Sequence, residues 1–480
     1  MVDGDRRIGY GELWARANAF ADHLRAMGLQ PGQRVALILP NRIEAAVACY
    51  GTWLARAIAV PLNVQARVRD FVPWLAHSDA AHVVHEAGHA DAERAAATHR
   101  PGTGTTIALQ GQPLPGTPCA GARERASASP SDVALILYTS GTTGAPKGVT
   151  LSHGNLLANA TAVAAYLELD SGDKVLSVLP FYYAYGASVL HTHLLSGACV
   201  ELAPSLLFPN QVLEALASGG ASGFSGVPST YELLLRHGCW DQVDLSGLRY
   251  VTQAGGAMSP SLTRRLSEAV KGARVYVMYG QTEATSRITW LPPERLQEKL
   301  GSVGRALDGL ELRIQGEGGT AALPGEPGEV QVRGASVMQG YWRDEHATAL
   351  AMQDGWLRTG DVGCLDTDGF LFLSGRRSDM IKTGAHRVFP GDIEETIAEL
   401  PGITEVAVVG VPDEVLGEVI KAYVVADQMQ QQTQDRIKAH CRARLAAYKI
   451  PRHIAFVDAL PRTASGKIKR VQLTELEARL

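Results

Sequence analysis

A short apolar run, Val133-Ala134-Leu135-Ile136-Leu137, leads directly into Tyr138-Thr139-Ser140-Gly141-Thr142-Thr143-Gly144-Ala145-Pro146-Lys147-Gly148. The run reads as a buried strand. The loop after it gathers hydroxyls, glycines and a lysine. Glycines let a backbone turn sharply and approach a ligand closely. Consecutive backbone N–H groups in such a turn form a nest for an anion, and the Ser, Thr and Lys side chains add donors. This is the chemistry of a polyphosphate clamp. It is not the GxxxxGK[ST] loop: counted from Gly141, the later glycine and the lysine fall at other offsets, and Gly148 follows the lysine. Composition alone would also suit a plain surface connection.

The flanking chain alternates between two periods. Leu13, Ala17, Phe20, Leu24 and Met27 recur at helical spacing, and Gly28 ends that helix. Strands are predicted at 34–39, 58–62, 82–84, 174–178, 199–202, 223–226, 249–253 and 274–278, with helices at 43–57, 68–76, 186–195, 228–236 and 261–270. Strands alternating with helices argue for parallel α/β sheets. Residues from about 87 to 130, rich in Ala, Gly, Pro, Thr and Ser, read as a long surface connection. From Ser302 to Gly375 short strands and Gly/Pro turns predict a small β-barrel-like piece. A boundary at Gly375-Arg376 then separates a large N-terminal domain, 1–375, from a small α+β lid, 376–480. In the lid, helices are expected at 392–399 and 433–446 and strands at 405–409, 418–425 and 454–457.

Composition narrows the class. With 480 residues, 46% hydrophobic and 20% charged, the chain reads as globular and larger than one ordinary domain. A net charge of -4 leaves no basic footprint for nucleic acid. The six cysteines show no zinc or redox spacing, which predicts reduced thiols and a cytoplasmic home. The polar N-terminus holds no signal-peptide core, and no apolar run approaches the ~18 residues of a membrane span.

Three further stretches can carry chemistry. Met278-Tyr279-Gly280-Gln281-Thr282-Glu283-Ala284 follows a predicted strand, and ligands of parallel sheets bind at the carboxyl ends of strands. There an aromatic ring can stack on a purine and a carboxylate can hold Mg²⁺, which favours oxygen ligands; a solvated loop beside a core tyrosine is the plainer alternative. Asp361, in Trp356-Leu357-Arg358-Thr359-Gly360-Asp361, suits the vicinal hydroxyls of a ribose or simply a turn. Lys467, in Arg462-Thr463-Ala464-Ser465-Gly466-Lys467, lies in a basic loop that would otherwise be a solvated face.

Together, and in this order, these stretches resemble the adenylate-forming superfamily of acyl-CoA synthetases, carrier-protein adenylation domains and luciferases. The resemblance covers nearly the whole chain. It implies a nucleotide site built from Thr139, Ser140, Gly141, Thr142, Thr143, Gly144 and Lys147, from the turn Gly255-Gly256-Ala257, and from Tyr279 and Gly280 at the adenine. It further implies Thr282 at the phosphate, Glu283 on Mg²⁺, and Asp361 with Arg376 on the ribose. Lys467 becomes the catalytic lysine, a cation that completes the site on closure and stabilises developing charge. Gly384, in Lys382-Thr383-Gly384-Ala385, would line a pantetheine tunnel; many relatives have a second glycine where this chain has Ala385. The hinge falls at Ser378, with Asp379 as its neighbour, where relatives often have Asp or Lys.

The acyl pocket is expected from Tyr183, Ser225, Gly226, Val227, Gln253 and Met278, which points to an apolar or aromatic acyl group. Tyr183 stands where relatives often carry histidine. His191 and His193, two residues apart, read as structural. Amino-acid-activating relatives carry Phe-Asp-x-Ser where this chain has Tyr185-Gly186-Ala187-Ser188, so no acid awaits a substrate ammonium, and a non-amino carboxylic acid is expected. The implied reaction uses ATP and Mg²⁺ to form an acyl-adenylate, then passes the acyl group to coenzyme A. A carrier-protein phosphopantetheine is the alternative acceptor. A ligase performing mainly one half-reaction and a non-catalytic acyl-nucleotide-binding protein are the remaining readings. A homodimer is one assembly the sequence leaves open.

Overall fold

The computed structural model describes residues 1–99, 105–109, 114–116, 128–139, 146–270, 272–384, 386–426, 431–462 and 468–477. Two α/β sheets and a separate smaller sheet organise them. In the first, Thr105–Leu109, Ala80–Glu86, Arg34–Ile38, Ile58–Pro61 and Val133–Thr139 pair in parallel, in that spatial order. Lys147–Ser152 then returns antiparallel to Val133–Thr139, and Gly340–Tyr341 caps that edge. Thr139 and Lys147, the two ends of the glycine-rich segment, are therefore paired across neighbouring strands of one sheet.

In the second sheet Val2–Asp3, Cys199–Leu202, Lys174–Ser177, Gly223–Gly226, Tyr250–Gln253 and Arg274–Tyr279 run parallel. Beyond Arg274–Tyr279 the pairing turns antiparallel through Thr289–Trp290, Ser302–Ala306, Leu371–Arg376, Trp356–Leu365, Gly328–Gly334 and Leu310–Gln315. The short strands expected as a barrel-like piece are thus hydrogen-bonded in series to the edge of the second sheet. This extension brings Asp361 and Arg376 beside Tyr279.

The helices follow their apolar stripes. In Tyr10–Ala26, Leu13, Ala17, Phe20 and Leu24 are buried on one face, and Gly28 follows at φ +86. Helix His153–Leu167 opens with a capping box in which the Ser152 hydroxyl accepts from the Asn155 N–H. Between 87 and 130, the stretch expected to hold little structure, Ala90–His99 is a helix and Thr105–Leu109 a strand. Ala92, Ala95 and Ala96 form its buried stripe, in one cluster with Phe71 and Leu75. Alanine is the best helix former, and its small side chain lets a short stripe pack closely. Helix Pro209–Ser218 likewise goes beyond the sequence expectation.

From Ile381 onward the chain builds a five-stranded sheet of its own, dominated by the long pair Ile403–Asp413 and Gly417–Ala426. Helices Pro390–Ala398 and Gln431–Arg444 pack on it through Ile393, Ile397, Ile437 and Cys441. No helix among the described residues is long and apolar enough to cross a membrane.

Candidate functional site

Strand Arg274–Tyr279 ends on a buried ring. The Tyr279 hydroxyl donates to Asp361 Oδ2 at 2.5 Å, and Arg376 Nε meets Asp361 Oδ1 at 3.0 Å. Asp361 and Arg376 face each other in strand register, which fixes the carboxylate between the phenol and the guanidinium. Burial first, then the neighbouring Asp361 charge, push the Tyr279 phenol well above its ordinary pKa. The next residue must be glycine: a Cβ on Gly280 would lie 1.7 Å from the Ser286 carbonyl oxygen. The chain therefore folds tightly back on itself between 280 and 286, and the 3-10 turn Thr282–Ala284 projects Glu283 from that fold.

A second constellation joins Glu283 to the strand pair that ends at Thr139 and begins again at Lys147. Thr139 and Lys147 are cross-strand partners there. Lys147 Nζ lies 5.5 Å from the centroid of the Tyr341 ring, and the Tyr341 hydroxyl donates to Glu283 Oε1 at 2.9 Å. Backbone bonds hold the same parts together: Met338 N–H to Glu283 O at 2.9 Å, and Trp342 N–H to Gly148 O at 2.7 Å. Ser140, Gly141, Thr142, Thr143 and Gly144 lie outside the described residues. Among the described residues no cluster of three or more His, Cys, Asp or Glu side chains is arranged to hold a metal. A single carboxylate suits a magnesium ion held otherwise by phosphate oxygens and water.

The third group lines the ends of adjacent parallel strands. Ser225 pairs with Thr252 and Gly226 with Gln253 in register. Ser225 Oγ lies 2.8 Å from Thr252 Oγ1, the Tyr185 hydroxyl 2.9 Å from the same atom, and the Tyr231 hydroxyl donates to Thr252 O at 2.7 Å. Gln253 Nε2 donates to Gly256 O at 2.8 Å, bracing the exposed turn of Gly255, Gly256 and Ala257 over Val227. The Tyr166 hydroxyl donates to Met278 Sδ at 2.8 Å. Tyr183 bonds elsewhere, accepting from Asn63 Nδ2 at 3.3 Å in the loop after Ile58–Pro61. His191 is bonded to Tyr50 at 2.8 Å and His193 to Tyr250 at 2.6 Å; burial pushes each imidazole down to about 4.

Of the residues at these sites without a counterpart in the sequence reading, two bear most on the chemistry. Tyr341 is one. Arg287 is the other, only 1% exposed, with its guanidinium carbon 4.5 Å from the Tyr185 ring centroid. Its position, a lone cation before Ile288-Thr289-Trp290-Leu291, is the signal that was available. The residues expected as apolar pocket walls therefore adjoin a cluster of hydroxyls, and Tyr185 of that cluster stacks under a buried cation.

In the smaller unit Gly384 sits exposed at a turn with φ +55, and its N–H donates to Leu416 O at 2.9 Å. Ser378 lies in the 3-10 turn Arg377–Asp379, its hydroxyl donating to Asp379 Oδ1 at 3.0 Å. Arg470 reaches both Asp379, at 3.5 Å, and Glu394, at 2.7 Å. Ala385 and Lys467 lie outside the described residues.

Comparison with known proteins identifies the family. Residues 1–342 match the AMP-binding enzyme family and 392–467 its C-terminal domain. A feruloyl-CoA synthase from an Amycolatopsis species is 36% identical, over 97% of this chain and 93% of its own. ATP-bound MatB from Rhodopseudomonas palustris superposes with a TM-score of 0.89 at 31% identity, covering 98% of this chain and 94% of that one. The o-succinylbenzoate CoA synthetase of Bacillus subtilis, solved with ATP and magnesium, gives 0.85 at 31% identity, covering 98% and 95%. The chain belongs to the AMP-binding enzyme family, the adenylate-forming superfamily, as one of its AMP-forming acyl-CoA ligases.

Proposed function

We propose that this ligase activates a carboxylic acid without an α-amino group, using Mg·ATP, and passes the acyl group to coenzyme A. The observation that carries the reading is the convergence of two arrangements on one strand end: Tyr279–Asp361–Arg376 and Lys147–Tyr341–Glu283. In the first, the Tyr279 ring offers a face to adenine, and Asp361, oriented by Arg376, accepts from ribose hydroxyls. In the second, Lys147 and the hairpin 139–147 meet the phosphates. Glu283 is the residue that would hold Mg²⁺, which neutralises phosphate charge when bound; Thr282 contributes a hydroxyl to the same edge.

Gly186 supports the substrate class. A Cβ there would lie 2.1 Å from the Pro180 carbonyl oxygen, so the helix start has no room for the acid with which amino-acid-activating relatives hold an ammonium. The acid's carboxylate attacks the α-phosphorus, pyrophosphate leaves, and the acyl-adenylate forms. Lys467 supplies the cation that stabilises charge developing in that attack. We place the division between the large domain and the lid at 375/376 and the hinge at Ser378. The turn at Gly384 then borders the path of the thiol arm, and the CoA thiolate displaces AMP.

The test is pyrophosphate release from Mg·ATP across a carboxylic-acid panel, with acyl-CoA read by mass. Release with acyl-CoA is expected. Release without acyl-CoA would move the acceptor to a carrier-protein arm. Lys467→Ala should lower release at least ~100-fold, the scale of one electrostatic donor lost from a transition state; an unchanged rate would refute the lysine's role.

A further inference from the structure

Arg287 is the largest of the fully buried side chains. A guanidinium is always charged, carries five donors and accepts nothing. Burying one is costly unless the charge is paired. Here Nη1 reaches the Ser286 hydroxyl at 3.2 Å, the ring of Tyr185 lies beneath the guanidinium carbon at 4.5 Å, and Nε has no partner. Among the described residues no carboxylate forms an ion pair with it. The backbone on either side is fixed: Thr285 Oγ1 donates to Ser336 O at 2.6 Å, and Asn159 Nδ2 donates to Arg287 O at 2.9 Å. The cation is thus held in place without a counter-charge.

Its surroundings are hydroxyls. Tyr185 and Tyr166 both feel the guanidinium, which opposes the upward push of burial on their phenols. Tyr185 in turn joins Thr252 and Ser225, and Tyr166 touches Met278. These are the walls assigned to the acyl group. The buried Ser188 hydroxyl, one helical turn from Tyr185, is also without a partner. The Tyr185 and Tyr166 hydroxyls already donate to Thr252 O and Met278 Sδ, so the unmet group is the cation itself, and its complement is an anion that the chain does not supply.

We propose that Arg287 is a specificity-determining residue at the distal end of the acyl pocket, and that the substrate is an acid carrying a second carboxylate there. The proposal rests on the adenylation reading above. One carboxylate is activated at the nucleotide; the other pairs with Arg287. A charge-assisted pair in a desolvated pocket also rejects an apolar substitute strongly, because the buried cation would then stay unpaired.

The experiment measures pyrophosphate release for matched acids of equal length, hexanoate against adipate and benzoate against terephthalate, with wild type, R287M and R287K. Wild type is expected to favour a dicarboxylate by at least tenfold in kcat/KM. R287M should invert that ratio, and R287K should retain part of the preference. Wild-type preference for the monoacids overturns the proposal whatever the variants do, so a variant that fails to fold does not shelter it. A rise in KM for ATP in R287M, equal for all acids, overturns it by assigning the guanidinium to the nucleotide phosphates. Release with monoacids alone defeats this inference and leaves adenylation standing; no release with any acid defeats both.

Discussion

The proposed nucleotide end and the proposed acyl end of the site are built on opposite plans. At the nucleotide end the described carboxylates already have protein partners. Asp361 is bonded by Tyr279 and Arg376, and Glu283 by Tyr341. At the proposed acyl end the dominant group, Arg287, is a buried charge with no ion pair among the described residues: Nη1 reaches only the Ser286 hydroxyl, and Nε has no partner. The difference is one of division of labour. Groups that meet the invariant part of a substrate can be preorganised by one another. Groups that choose among acids gain discrimination when their pairing is left to the ligand, since a wrong ligand then leaves a buried charge unmet.

The largest way to break this contrast is to remove the anion at the preorganised end. Asp361→Ala leaves the buried Tyr279 hydroxyl without an acceptor, a loss of about 1–3 kcal/mol in stability. It also deletes the proposed ribose contact, so KM for ATP should rise by about tenfold to a hundredfold while KM for the acid moves little. A thermal melt and ATP titration check both. If KM for the acid changes as much as that for ATP, the two ends are not separable and the comparison fails.

How far the sequence could foresee this differs between the ends for the same physical reason. Tyr279 and Glu283 drew attention because they follow a predicted strand marked by a short apolar run, and the roles proposed for them, for Asp361 and for Arg376 came from the resemblance to the adenylate-forming superfamily. The parallel order of Tyr250–Gln253 and Arg274–Tyr279 followed from alternation with helices. Arg287 was not legible. A lone arginine beside apolar residues is ordinarily exposed, and only the close return of the chain at Gly280 turns it inward. Tyr341 was hidden differently: it reaches Glu283 from a two-residue strand, Gly340–Tyr341, too short for any period to show. The helix Ala90–His99 was missed because its buried stripe is alanine, which composition alone cannot tell from a loop.

A milder change tests whether preorganisation itself matters. Tyr341→Phe keeps the ring under Lys147 and removes only the hydroxyl that orients Glu283. One neutral-to-charged hydrogen bond is worth about 1.5–3 kcal/mol, so pyrophosphate release should fall by about tenfold to a hundredfold, with more Mg²⁺ needed for half-maximal rate. A fall in rate with an unchanged Mg²⁺ requirement would make Tyr341 a packing residue and remove Glu283's preorganisation from the contrast.

The smallest effect at neutral pH concerns the wall behind the acyl end. His191 and His193 lie on helix Ala184–Leu195, and burial holds both near 4 against an ordinary 6.5. The folded chain therefore binds fewer protons than the unfolded chain between those values. Stability then rises with pH across that window and is lost as pH falls from about 6.5 toward 4, because the unfolded imidazoles protonate first. Above about 7 both states are neutral and the term vanishes. Replacing His191 by Gln, which keeps a hydrogen-bonding partner for Tyr50, should flatten the decline in melting temperature below pH 6.5 and leave the acid selectivity at pH 7.5 unchanged. Altered selectivity at pH 7.5 would mean that this wall reads the substrate as well, and that discrimination at the acyl end is shared rather than vested in Arg287.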